Sequence, residues 1–123
     1  MHELSIAQNL IEIASEAAQK AGATRVRELR LRLGALAGVS VESLLFCYDI
    51  AAQGTLLEGS RLCIDEAPVV IFCADCKAEH DLPAIVDMCC PVCGATRVQV
   101  RSGRQMELSA IEVDVPELQG APA

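Results

Sequence analysis

From Leu4 to Ala21, apolar residues (Leu4, Ala7, Leu10, Ile11, Ala14, Ala17, Ala18 and Ala21) recur every three or four positions, the period of a helix with one buried face. Gly22 follows directly and predicts its end, because glycine adopts the left-handed conformation that closes many helices. Leu29, Leu31 and Leu33 then alternate with Arg30 and Arg32, which predicts a strand with one apolar and one wet face. Ser40 is placed to cap a second helix, with Glu42 in its first turn and Leu44, Leu45, Tyr48 and Ile50 to Ala52 as apolar surface. Leu62 and Ile64 predict a second strand that stops near Pro68, since proline cannot donate to a central ladder.

The pattern resumes beyond a cysteine-rich stretch. Met106, Leu108 and Ala110 share one parity and Ile111, Val113 and Val115 the other, as expected for a last strand with a bulge near Ala110. The fold class is therefore α+β: a small three-stranded sheet with two helices, plus an inserted zinc-ribbon subdomain. The expected boundaries are 1–68 and 99–115 for the discontinuous α+β domain, 69–98 for the ribbon and 116–123 for a flexible tail.

Composition narrows the chemistry. Aromatic side chains are limited to Phe46, Tyr48 and Phe72, so the core must be aliphatic. A net charge of −7 opposes binding to nucleic acid, whose affinity rests on neutralised phosphates. The apolar segments are short and broken by charge, and Met1-His2-Glu3 does not open a signal peptide, which predicts a cytoplasmic protein without membrane insertion. Neither a phosphate-cradling loop nor a nucleophile-and-base motif is present, so no enzyme activity is expected.

Seven cysteines is an odd number, and four form the pairs Cys73-Ala-Asp-Cys76 and Cys90-Pro-Val-Cys93, separated by 13 residues. Two such knuckles at this spacing close a tetrahedron around one ion, and four thiolates leave no open coordination position. The site is thus structural, and Zn(II) is expected at Cys73, Cys76, Cys90 and Cys93. Rubredoxin-type iron would want aromatic packing, and only Phe72 is near. Cys89 is the competing ligand, but only Cys90 has the two-residue spacing to Cys93, which leaves Cys89 a spare thiol. Between Val69 and Val98 the charges are Asp75, Glu79, Asp81 and Asp87 against Lys77 and Arg97, a poor surface for phosphate. Cys47 and Cys63 read as small apolar residues, His80 as a solvated loop residue, and Arg25, Arg27, Arg30 and Arg32 as the wet face of the first strand, which could also dock an acidic partner.

His2 directly follows Met1, so the terminal amine of Met1, the backbone nitrogen of His2 and its imidazole can reach one ion that favours square-planar nitrogen, nickel or copper. Glu3 can add its backbone nitrogen or its carboxylate. Read alone, a histidine here is also compatible with an idle, frayed terminus.

Met1-His2-Glu3-Leu4-Ser5, the amphipathic helix, the two strands and the paired knuckles together resemble the HypA/HybF family over residues 1 to about 115. In that family the opening Met-His-Glu forms the nickel site, so the resemblance implies nickel at His2 and Glu3, and zinc at the four knuckle cysteines. It also implies a nickel metallochaperone that delivers Ni(II) to the large subunit of a [NiFe] hydrogenase with the GTPase HypB; a homodimer is compatible with it. Some family members carry histidines beside the second knuckle, whereas Ala95, Thr96 and Arg97 stand here. The competing readings are a zinc-ribbon protein-interaction module with an idle His2, and a thiol oxidoreductase using Cys90 and Cys93.

Overall fold

The computed structural model describes residues 2–82 and 88–116. Their elements are α1 (Glu3–Lys20), β1 (Arg25–Gly34), α2 (Val41–Ala52), β2 (Arg61–Ala67), β3 (Val69–Cys73), β4 (Ala78–Leu82), β5 (Val98–Ser102) and β6 (Met106–Asp114). They divide into two compact units. One holds the residues up to Leu31, Val39–Ile64 and those from Leu108; the other holds Arg32–Gly38 and Asp65–Glu107.

In the first unit, α1 ends as its glycine predicts. Gly22 takes φ +71°, and the amides of Gly22 and Ala23 return to the carbonyls of Gln19 and Ala18 at 3.1 and 2.9 Å, so the last turn is left with satisfied acceptors. The buried face is Ile6, Ala7, Leu10, Ile11, Ala14 and Ala18. Ile6 belongs to that face and Leu4 does not, being 45% exposed. Helix α2 starts at Ser40, whose hydroxyl accepts the Ser43 amide at 3.3 Å, and it buries Leu44, Tyr48 and Ala52. The Tyr48 hydroxyl is buried with a partner, Ser60 Oγ at 2.5 Å, which removes the penalty of a dry phenol.

Strand order in the first sheet is β2-β1-β6. The bulge expected near Ala110 is visible in the burial of β6: Leu108 faces the core, as do Ile111 and Val113, so the inward parity switches between them. Strand β1 does the same, with Val26 inward and then Leu29, Leu31 and Leu33.

The second unit departs most from the sequence expectation. Three short strands, β3, β4 and β5, form a second sheet in the order β4-β3-β5 within and just beyond the cysteine-rich stretch. Both pairings are antiparallel, with Cys73 opposite Ala78 on one side and Val98 on the other. Only β4, Ala-Glu-His-Asp-Leu, lacks the large apolar residues that announce a strand; β3, Val-Val-Ile-Phe-Cys, and β5, with Val98 and Val100 alternating, carry a pattern that the neighbouring cysteines overshadow. Backbone packing is tight at Gly34, where a Cβ would lie 2.1 Å from the Gly103 carbonyl oxygen, so only glycine fits there. No described helix is long and apolar enough to cross a membrane.

Candidate metal centre

The first knuckle sits in the turn that joins β3 to β4. Cys73 is the last residue of β3, and Lys77 donates its amide to the Cys73 carbonyl at 2.8 Å, which curls the chain and brings Cys76 beneath Cys73. The second knuckle repeats that bond, with the Gly94 amide on the Cys90 carbonyl at 2.9 Å. In each, the residue after the second cysteine has positive φ: Lys77 at 56° and Gly94 at 76°. The sequence marks only the glycine. Lys77 takes the same conformation against a steric penalty, which shows that the knuckle geometry overrides local preference.

The four knuckle sulfurs converge, all within 4.8 Å of one another. Cys73 Sγ lies 3.6 Å from Cys93 Sγ, and Cys76 Sγ lies 3.8 Å from Cys90 Sγ. A zinc ion with four sulfurs at about 2.3 Å in a tetrahedron requires sulfur separations of about 3.8 Å. These two pairs match that spacing and the whole set spans no more than 4.8 Å, so four thiolates here suit Zn(II) with at most small side-chain adjustment. Cys73 and Cys90 are buried, Cys76 is half-buried and Cys93 exposed. Cys89 is outside the cluster, which agrees with its reading as a spare thiol.

Backbone amides aim at the sulfurs. Cys76 N lies 3.4 Å from Cys73 Sγ, and Val92 N lies 3.4 Å from Cys90 Sγ. Burial resists a charge on Cys90, yet the amides of Cys93 and Val92 together with the neighbouring thiols outweigh it and bring its pKa down to about 6. Hydrogen bonding to Cys93, with burial adding to it, pushes Cys76 up to about 12. Backbone amides that hydrogen-bond a thiolate are the arrangement expected of a structural thiolate site. Arg97 joins the two knuckles from outside, its guanidinium on Asp75 Oδ1 at 2.8 Å and its carbonyl accepting the Ala74 amide at 3.3 Å. Neither partner was singled out by spacing, since the pair is 22 residues apart.

The other singled-out residues fall as follows. His2 is exposed and extended (φ −85°, ψ 108°) at the start of α1, where its carbonyl accepts the Ile6 amide at 3.2 Å. The Glu3 carboxylate accepts the Ser40 amide at 3.0 Å, which ties the start of α1 to the cap of α2. That bond, with one from its own amide, holds the Glu3 carboxyl below the usual glutamate range. Met1 lies outside the described residues, as do residues 117–123 of the expected tail. His80 is not in a loop: it lies in β4 opposite Ile71, half-buried, and its Nε2 has no hydrogen-bond partner. Strand formation around the knuckle turn, invisible in the polar run Glu79-His80-Asp81, is the reason. Cys47 packs against the first unit's core, whereas Cys63 is half-buried; burial raises its pKa, and a hydrogen bond to Glu28 adds to the effect.

Comparison with known proteins agrees with this geometry. Residues 1–113 match the family described as hydrogenase/urease nickel incorporation, metallochaperone, hypA. A hydrogenase maturation factor HypA from Roseiflexus sp. is 49% identical, covering 95% of this chain and 97% of its own. One from Streptomyces avermitilis is 42% identical, covering 90% and 86%. The solution structure of the Ni metallochaperone HypA from Helicobacter pylori has a TM-score of 0.64 at 22% identity, over 94% of this chain and 99% of that one, and so shares the fold. The family consists of metallochaperones rather than enzymes. The chain belongs to the HypA family of nickel-incorporation metallochaperones that serve hydrogenase maturation.

Proposed function

We propose that this protein binds Ni(II) at its N-terminus, through His2 and Glu3 with the Met1 amine, and helps insert it into the large subunit of a [NiFe] hydrogenase in the cytoplasm, working with the GTPase HypB. The observation that carries this reading is the placement of His2: an exposed imidazole on an extended residue, one position before a helix whose start is fixed by the Glu3–Ser40 bond. A cargo site must load and unload, and few protein ligands at an exposed chain end suit that better than a closed cage. Ser40 holds Oε2 of Glu3, and we take the backbone nitrogen as its donor, the amide giving up its own bond to the carboxylate when it binds the ion.

In this reading Cys73, Cys76, Cys90 and Cys93 hold a zinc that supplies structure alone. Residues 1–68 and 99–115 form the nickel-binding domain, 69–98 the ribbon and 116–123 a tail. Amine and imidazole must lose protons to bind, so nickel affinity falls with acid.

The test is a nickel titration of untagged protein beside His2→Ala, Glu3→Gln and a variant with one extra N-terminal residue, with metals counted after dialysis. About one zinc should persist in all four. Nickel, about one per wild-type chain, should be lost in His2→Ala, weakened in the extended variant if the Met1 amine is a ligand, and kept in Glu3→Gln. Nickel binding by His2→Ala equal to wild type would remove the N-terminal site and leave a zinc-ribbon interaction module.

A further inference from the structure

Helix α2 has an apolar face that its own fold does not use. Leu44, Tyr48 and Ala52 point to the core, and at 100° per residue Phe46 stands on the opposite side, 69% exposed. Ile50, one turn on, is 49% exposed, and Leu45 at the flank is 39% exposed. This is one of only three aromatic residues in the chain. The other two are accounted for: Tyr48 is buried, and Phe72 is half-buried with the Arg101 guanidinium 4.8 Å above its ring. Clustered exposed apolar side chains around an aromatic are the usual form of an interface anchor.

The charges around Phe46 say what kind of surface would cover it. Helix α2 carries Glu42 and Asp49, both exposed, and no Lys or Arg. Helix α1 adds Glu3, Glu12 and Glu16 against a single cation, Lys20, which Glu16 engages at 3.3 Å. The exposed side of the helices is therefore apolar with an acidic rim.

We propose that the face of α2 formed by Phe46, Ile50 and Leu45, flanked by Glu42 and Asp49, docks a partner protein whose surface offers an apolar pocket rimmed by Lys and Arg. A second copy fits poorly: a two-fold contact through this face would set Glu42 and Asp49 against their own equivalents, on a chain whose net charge is already −7. Ser40 pins the helix in place for docking, held by Glu3 at 3.0 Å and capping Ser43. The same bond places the docking helix beside the residues assigned to nickel, so that a protein seated on α2 is next to the cargo. This last point rests on the proposed function; the docking face does not.

The experiment uses the full-length, zinc-loaded protein and two purified probes, the hydrogenase large subunit and the GTPase HypB, titrated calorimetrically at low and high salt. The variants are Phe46→Ser, Ile50→Ser and the double change Glu42→Lys with Asp49→Lys, each checked for helix content and zinc. Phe46→Ser should weaken binding of at least one probe by about tenfold or more, and the charge variant should weaken it and flatten its salt dependence. Nickel titration should be unchanged in all three. Binding of both probes within about twofold of wild type in Phe46→Ser and Ile50→Ser would overturn the docking face while leaving the chaperone reading intact. Absence of binding by the wild type would overturn it together with the partner assignment, and nickel binding would then report on the chaperone reading separately. Self-association that Phe46→Ser abolishes, with probe binding unchanged, would overturn it in favour of a second copy.

Discussion

In the unit that holds α1 and α2, fourteen buried residues form a core of aliphatic side chains and Tyr48; in the unit that holds the four cysteines the corresponding cluster has five, and two of those are Cys73 and Cys90. The first core is assembled from two helices and a sheet, each contributing one apolar face. Among the described residues the second cluster has Val69, Ile71 and Leu82 as its buried aliphatic members, and Leu33 and Ala67 are the further buried aliphatics of that unit. So small an apolar surface does not offset the entropy of ordering three strands and two knuckles. In the proposed reading a metal ion on the four converging sulfurs provides what apolar burial cannot, so that the helical unit rests on the hydrophobic effect and the ribbon on coordination chemistry.

The strongest way to break that contrast is to remove the metal. Chelation, or Cys93→Ser, should abolish amide-exchange protection in β3, β4 and β5 while α1 and α2 retain theirs, since structural zinc contributes about 10–16 kcal/mol in small sites. Ribbon amides that stay protected without metal would show that the five-residue cluster suffices. The converse change is Leu44→Ala, which opens a cavity at a fully buried position of the helical core. It should lower the unfolding free energy of that unit by about 2–5 kcal/mol in urea titration, with zinc stoichiometry unaltered. A loss of zinc in Leu44→Ala would mean that the two units are not stabilised separately.

The same contrast explains what could be read in advance. Both helices, β1, β2 and β6 were legible because each buries one face, and burial of one face imposes a period on the sequence. The convergence of the four cysteines was legible because two Cys-x-x-Cys pairs at ribbon spacing have few other arrangements. Strand β4 was not, because Ala-Glu-His-Asp-Leu is polar at its centre, which reads as a loop around His80. Strands β3 and β5 do carry an apolar pattern, in Val69 to Phe72 and in Val98 and Val100, but each is five residues long and lies beside a cysteine knuckle, whose signal dominates the segment. Glu3–Ser40 and Arg97–Asp75 were also hidden, as each joins residues more than twenty positions apart that only the fold brings together. The N-terminal nickel ligands came from the resemblance rather than from periodicity, and the placement of His2 and Glu3 adds a physical setting for them.

Within the ribbon, a finer comparison sets one knuckle against the other. Gly94 and Lys77 hold the same place, directly after the second cysteine, at φ 76° and 56°. Around Gly94 a Cβ would meet nothing within 4 Å, so the cost of Gly94→Ala is one of backbone conformation alone, about 1–2 kcal/mol. Lys77→Gly has the opposite sign. It relieves the left-handed penalty but gives the unfolded chain extra freedom worth about 0.4–1 kcal/mol, so the net gain lies between about 0 and about 1.6 kcal/mol. In the proposed reading zinc binding and ribbon folding are one step, so both effects should appear as shifts in zinc affinity measured against a competing chelator, down for Gly94→Ala and slightly up for Lys77→Gly. If Lys77→Gly instead weakened zinc binding, the lysine side chain would be contributing more to the first knuckle than its backbone strain removes, and the two knuckles would be equivalent in geometry but not in energy.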